Sequence, residues 1–190
     1  MDDRREQADT TESSVYLGLG SNLGDREAEI RRGLERLEAM GAVRVIAVSS
    51  LYETEPVGWT GGPWYLNGVA RAISRLGPEA LLTALKDVER QAGRMPGARN
   101  APRPLDLDLL IYENQTIRSN DLEVPHPRML DRAFVLRPLA ELAPELEILP
   151  GLTAGMAEAE LPVCDGFRRW RPENESPDAG KSALQAPHEG

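Results

Sequence analysis

The 190-residue chain reads as an α+β fold, a ferredoxin-like β-α-β-β-α-β core in which an antiparallel sheet is flanked by helices. Three observations predict it. Segments of strand and helix periodicity succeed one another in that order, and the two middle strands follow with no helix between them. Each of the first two helical stripes opens on a capping signal and closes on a glycine. The length suits one domain with a real core, which we place at residues 14–171 between tails at 1–13 and 172–190. Both tails are rich in charged and small residues and poor in large apolar ones, so both are expected to be disordered.

Val15 to Gly20 is the first strand, ending in a glycine-rich turn. Asp25 is a plausible N-cap with Glu27 and Glu29 in the first turn, and Ile30, Leu34, Leu37 and Met40 form the stripe of a helix that stops near Gly41. Val43 to Val48 is a second strand that continues toward Tyr52, and the segment from Glu55 to Pro63 is irregular because of its glycines and prolines. A third strand runs from Tyr65 to Ser74. Gly77-Pro78 opens a second helix with Pro at its first position, Leu81, Leu85, Val88 and Ala92 form its stripe, and Gly93 ends it. Residues 94–104 form an irregular loop, followed by a strand from Asp106, a short hairpin through Glu113-Asn114, and a helix from about Arg132 to Leu142.

The strand at Leu105-Asp106-Leu107-Asp108-Leu109-Leu110-Ile111-Tyr112 is the most informative segment. Strict alternation puts Asp106, Asp108, Leu110 and Tyr112 on one face and Leu105, Leu107, Leu109 and Ile111 on the other. Two carboxylates on one face stand roughly 6.5–7 Å apart along the strand. That spacing suits a pair of divalent cations about 3.5–4 Å apart. Adjacent carboxylates repel and Asp is depleted in strands, so cationic compensation is required, from Arg99, Arg103 or a metal.

The remaining bulk properties exclude more than they identify. The net charge is −9, but residues 1–14 contribute −3 and residues 171–190 contribute −2, leaving a mildly acidic body that suits neither nucleic acid nor an anionic membrane surface. Twenty of the 22 basic residues are arginine, whose planar fork suits bidentate phosphate contacts. The single cysteine, Cys164, reads as a small hydrophobe rather than a nucleophile. No secretory signal or membrane-spanning run is visible, so we expect a cytoplasmic location. The glycine run at 18–24 has neither G-x-G-x-x-G nor G-x-x-x-x-G-K-[ST] spacing, so it reads as a turn with close backbone packing rather than a nucleotide loop.

Several motifs fall in a recognisable order. They are Gly18-Leu19-Gly20-Ser21-Asn22-Leu23-Gly24, Ser49 to Gly58 around Tyr52-Glu53-Thr54-Glu55-Pro56, Trp64-Tyr65-Leu66-Asn67, and Pro102-Arg103 with Asp106-Leu107-Asp108. Val124-Pro125-His126-Pro127-Arg128-Met129 and Arg132-Ala133-Phe134-Val135-Leu136 follow. Over roughly residues 15–150 the chain resembles the 6-hydroxymethyl-7,8-dihydropterin pyrophosphokinases, folate-pathway enzymes that move a pyrophosphoryl group from ATP to a pterin.

The resemblance implies roles residue by residue. Asp106 and Asp108 would hold two Mg²⁺, and Arg94, Arg103, Asp106 and Asp108 would be catalytic. Glu89, Arg99, Arg103, Leu109, His126 and Arg132 would contact ATP, and Thr54, Val57, Tyr65, Asn67 and Phe134 would bind the pterin. Tyr65 and Phe134 suit stacking, while Thr54 and Asn67 suit hydrogen bonds to its edges. The expected substrates are ATP and the hydroxymethyl dihydropterin, and the expected state is a monomer without nucleic-acid or membrane partners. Asn100 stands where many members carry an aromatic residue. Two alternatives stay open from the residues alone: a non-catalytic nucleotide-binding module of the same fold, and a metal-dependent phosphohydrolase.

Overall fold

The computed structural model describes residues 12–55, 62–94, 102–162 and 166–171. The core elements are β1 (Ser13–Ser21), α1 (Arg26–Ala39), β2 (Arg44–Val48), β3 (Tyr52–Thr54), β4 (Tyr65–Ser74), α2 (Pro78–Gln91) and β5 (Asp106–Tyr112). β6 (Ile117–Arg118), β7 (Glu123–Val124), α3 (Ala133–Leu142), β8 (Glu147–Leu149), β9 (Leu152–Thr153), α4 (Ala154–Ala159) and β10 (Phe167–Arg169) follow. The expectations for the two tails and for Cys164 fall almost wholly outside the described residues. β1 starts at Ser13, two residues earlier than expected, and Glu12 pairs with Arg75 at 2.7 Å.

All pairings in the main sheet are antiparallel, and its order is β10-β3-β4-β1-β5. β2 and β3 pair with successive stretches of β4, residues 70–73 and 65–67, and so act as one interrupted strand. The α+β, ferredoxin-like arrangement is therefore present, with β10 added at one edge. No helix among the described residues is long and apolar enough to cross a membrane.

The helix ends follow their local chemistry. The Asp25 carboxylate accepts from the Ala28 N–H at 3.1 Å, and Gly41, with φ +68°, lets the Ala42 N–H turn back onto the Leu37 carbonyl at 3.0 Å. Pro78 occupies the first turn of α2. One sheet face carries Val15, Leu17, Leu19, Leu66, Leu107 and Leu109, which pack with Leu34 and Leu37 of α1 and Leu81, Leu85 and Val88 of α2. The other face carries Tyr16, Val69, Leu110 and Ile111, which pack with Val135, Leu136 and Leu139 of α3 and Ala157 of α4.

Two expectations are corrected. The register between β1 and β5 shifts so that Tyr16 faces Ile111 while Leu17 faces Leu109. This bulge leaves Leu110 without a partner and reverses the alternation beyond it. Leu110 and Ile111 both enter the α3 side, whereas Tyr112 enters the α1–α2 side, where its hydroxyl donates to the Leu76 carbonyl at 2.8 Å. The second correction is the hairpin after β5. It is the small β6–β7 pair, its turn lies at 119–122, and Glu113 (φ +48°) only redirects the chain.

α1 approaches β5 closely because Gly33 has no side chain. A Cβ there would stand 2.7 Å from Cδ2 of Leu105, which is fully buried. Gly33→Ala gains about 1 kcal/mol of helix propensity but forces a displacement in a packed core costing about 1–3 kcal/mol. We expect a net loss of stability, read as a lower denaturant midpoint at unchanged slope; an equal or higher midpoint would refute this packing account.

Candidate active site

The α3–α4 layer covers only part of its sheet face. Toward the other end of the strands the apolar pattern stops, and the same face carries Asp106 and Asp108 on β5, Gly18 and Gly20 on β1, Asn67 and Tyr65 on β4, and Thr54 on β3. Gly20 pairs with both Asp106 and Asn67, and Gly18 pairs with Asp108. A Cβ on Gly20 would meet Asn67 Oδ1 and Asp106 Cβ at 3.4 Å each, and one on Gly18 would meet Asp108 Cβ at 3.5 Å. The glycines therefore form a flat floor between the carboxylates and the polar residues of β3 and β4. Asn67 and Asp106 lie two strands apart, about 9–10 Å.

The two carboxylates are compensated by arginine, as their repulsion demands. Asp106 Oδ1 accepts from Arg94 Nη1 and from Arg103 Nη1, both at 2.9 Å. Arg132 Nη1 lies 3.7 Å from Asp108 Oδ2. Burial, with Asp106 beside it, raises the Asp108 pKa above the ordinary carboxylate value. Burial likewise lowers that of His126, against the attraction of Asp108. A cis peptide joins Val124 to Pro125, and the His126 N–H donates to the Leu110 carbonyl at 2.9 Å. His126 Nδ1 accepts from the Arg128 N–H at 3.2 Å, which places the ring proton of neutral His126 on Nε2.

Glu89 approaches from the helix side. Its Oε1 accepts from the Leu107 N–H at 2.8 Å, covering an outer donor of the β5 edge, and pairs closely with Arg94. Arg94 thus bridges Glu89 and Asp106. Burial is the main cause of the raised Glu89 pKa, about 7, with the Leu107 N–H and Arg94 pulling downward and Asp106 upward. The Leu109 side chain lies in the α1–α2 core, so only its backbone is available to a ligand on the other face.

The four described residues assigned to the pterin lie on the uncovered face or beside it. Asn67 Nδ2 donates to Thr54 Oγ1 at 2.8 Å, and both residues are buried. Tyr65 lies on β4 in the neighbourhood of Arg103. Phe134 occupies the first turn of α3, with the Arg132 guanidinium 5.4 Å from its ring centroid. Arg99 and Val57 lie outside the described residues.

Two further residues hold the site's surroundings through contacts that local sequence does not signal. Asn22 grips the backbone of Arg103: its Oδ1 accepts from the Arg103 N–H at 2.7 Å and its own N–H donates to the Arg103 carbonyl at 3.2 Å. It lies within the glycine motif, but only the fold brings it 81 positions along the chain. Glu53 is buried between Arg26 and Arg168, at 2.5 and 2.6 Å; a lone acid in a short strand gives no signal for this.

A pH dependence follows for the metal-free protein. With a folded pKa near 7 against 4.5, Glu89 holds a proton in the folded state that it loses in the unfolded chain, so its contribution to stability is present below about pH 4.5 and is lost as pH rises through about 7. Stability measured from pH 5 to 7.5 should therefore fall less steeply in Glu89→Gln than in the parent chain. An unchanged slope would contradict the buried-acid reading.

Comparison with known proteins bears on the family and the fold. Residues 16–144 match the family model described as 7,8-dihydro-6-hydroxymethylpterin-pyrophosphokinase (HPPK). The chain is 40% identical over 157 residues to the 2-amino-4-hydroxy-6-hydroxymethyldihydropteridine pyrophosphokinase of Bacillus subtilis, covering 83% of this chain and 90% of that one. It is 46% identical over 136 residues to a mitochondrial folate synthesis bifunctional protein of Arabidopsis thaliana, covering 72% of this chain but 24% of the relative. A solved Plasmodium falciparum HPPK-DHPS structure superposes with a TM-score of 0.64 at 13% identity, over 86% of this chain and 50% of that one, which shows a shared fold. The motif order, the antiparallel α+β sheet and these matches lead to one conclusion: the chain belongs to the HPPK family.

Proposed function

We propose that the chain transfers the β,γ-pyrophosphoryl group of ATP to the hydroxymethyl oxygen of 6-hydroxymethyl-7,8-dihydropterin, releasing AMP in folate synthesis. The observation that carries this is the Asp106–Asp108 pair on a glycine floor, ringed by Arg94, Arg103 and Arg132 and sharing one sheet face with the Thr54–Asn67 pair. The arrangement provides a charged end for phosphates and a neutral polar end for a heterocycle.

The pterin oxygen forms its bond to the β-phosphorus as the bond from that phosphorus to the α,β-bridging oxygen breaks. The hydroxyl proton passes to water and AMP leaves with the electron pair of the broken bond. Such transfers depend on positioning and charge neutralisation. Arg94 and Arg103 meet charge at the transferred group, Arg132 and Arg99 hold phosphate oxygens, and the Nε2–H of His126 donates to the nucleotide. Glu89 holds Arg94 and the edge of β5, and Asn22 holds the Arg103 backbone, so both arginines are oriented before substrate arrives.

The donor set fits magnesium, which takes one or two carboxylates and completes its shell with water and phosphate oxygens. Asp106 and Asp108 are the residues that would hold two Mg²⁺; bound there, the ions neutralise triphosphate charge. Phe134 and Tyr65 provide stacking surface, Thr54 and Asn67 read the pterin edge, and Val57 and the backbone of Leu109 complete the contacts. A monomer acting in the cytoplasm belongs to the same proposal.

Chromatography of γ-labelled ATP incubated with magnesium and the hydroxymethyl dihydropterin tests the reaction. The label should move to the pterin with one AMP per product; ADP, or free phosphate released without pterin, would overturn it. Asp106→Ala and Asp108→Ala should each abolish turnover while the far-ultraviolet spectrum and melting temperature are kept, since neither removes core volume. Near-native activity in saturating Mg²⁺ would refute the metal assignment. Phe134→Ala should weaken pterin binding more than ATP binding, whereas Arg103→Ala should lower kcat by orders of magnitude with pterin affinity largely kept. Titration calorimetry beside steady-state kinetics separates the two, and a reversed pattern would contradict the assigned ends of the site.

A further inference from the structure

β10 lies beyond residues 16–144 that match the family model, yet it extends the sheet edge next to β3, which carries Thr54. It pairs antiparallel with all three residues of β3, and Phe167 stands opposite Thr54. The Phe167 ring stacks on Tyr52, with centroids 4.9 Å apart and planes at 28°, and the Arg137 guanidinium of α3 lies 4.6 Å from its centroid. The Tyr52 hydroxyl donates to Glu141 Oε2, also on α3, at 2.9 Å. Arg137 is itself held by Glu158 at 3.1 Å. A three-residue strand makes few ladder hydrogen bonds of its own, so its neighbours decide where it sits.

These contacts tie together two elements that carry opposite parts of one pocket. β3 holds Thr54, and through it Asn67; α3 holds Phe134, one helical turn before Arg137 and so on the same side of the helix. We infer that Phe167 is a positioning residue for the pterin: wedged between Tyr52 of β3 and Arg137 of α3, it sets the spacing between the Thr54–Asn67 pair and the Phe134 ring. This rests on the pterin assignment made above. The ring contacts of Phe167 among the described residues, to Tyr52 and Arg137, lie at the heterocycle end, where its effect is expected. Arg168 anchors the strand through Glu53, which keeps Arg26 as a second partner when Arg168 is changed.

The test uses the full chain and four variants: Phe167→Ala, Phe167→Tyr, Arg137→Gln and Asn67→Ala. Dissociation constants for 6-hydroxymethylpterin and for α,β-methylene-ATP are measured by calorimetry, with kcat and the pterin KM from steady-state kinetics. Phe167→Ala should raise the pterin Kd and KM about fivefold or more, with the nucleotide Kd within about twofold and kcat within about threefold. Phe167→Tyr, which keeps the ring, should restore the parent value. Arg137→Gln leaves the strand in place and should shift pterin affinity in the same direction by a smaller factor, which keeps the test open if Phe167→Ala does not fold. If Asn67→Ala weakens the pterin while Phe167→Ala and Arg137→Gln leave it unchanged, the positioning role is wrong and the pocket stands. If Asn67→Ala leaves pterin affinity unchanged too, the pocket assignment itself is wrong. Parallel losses of pterin and nucleotide affinity in Phe167→Ala would mean that the ring only supports the fold.

Discussion

Two carboxylates placed side by side on one strand are the constraint around which this structure is organised. Asp106 and Asp108 repel, so the surroundings supply positive charge: Arg94 and Arg103 share Oδ1 of Asp106, and Arg132 stands by Asp108. Two of these arginines are in turn held. Glu89 fixes Arg94 and the Leu107 N–H together, and Asn22 grips the Arg103 backbone by both its donor and its acceptor. The result is an electrostatically loaded end of the sheet whose charges are oriented before any ligand binds. Preorganisation of this kind is what phosphoryl-type transfer needs, because little covalent chemistry is left for the protein to do.

The fold makes room for that charge by leaving a sheet face half covered. Leu110, Val69 and Tyr16 take the α3–α4 layer, while farther along the same strands the face carries half-buried Asp108 and Asp106 beside Gly18, Gly20 and the buried Asn67. The opposite face is packed against α1 and α2 along its length, and the absence of a side chain at Gly33 lets α1 approach β5 just before the carboxylates begin. Rigid packing behind the strand and an open polar surface in front of it are thus two sides of one arrangement.

Much of this was legible in the sequence because it was written in local period and spacing. The Asp-Leu-Asp-Leu alternation placed the carboxylates on one face, Asp25 and Gly41 marked the ends of α1, and Pro78 and Gly93 bracketed α2. The spacing of the floor glycines indicates close packing rather than a phosphate loop, and their contacts with Asp106 and Asp108 agree. What escaped was non-local. The bulge at Leu110 is set by the mismatch between β1 and β5, and it moved Tyr112 to the helix side. β10 is only Phe167-Arg168-Arg169, too short to show a period, and its place beside β3 depends on partners such as Glu53, 115 positions away from Arg168. Asn22 and Glu53 act through contacts across the fold that no spacing announces.

The central claim is that the Asp106–Asp108 pair, with its arginines, is the seat of the metal–triphosphate complex. Titrating Mn²⁺ into the protein with α,β-methylene-ATP, and following bound ion by electron paramagnetic resonance, tests it most directly. The account predicts nucleotide-dependent binding of two ions per chain in the parent protein and its loss in Asp108→Asn. Equal Mn²⁺ binding in the parent and Asp108→Asn proteins would contradict it.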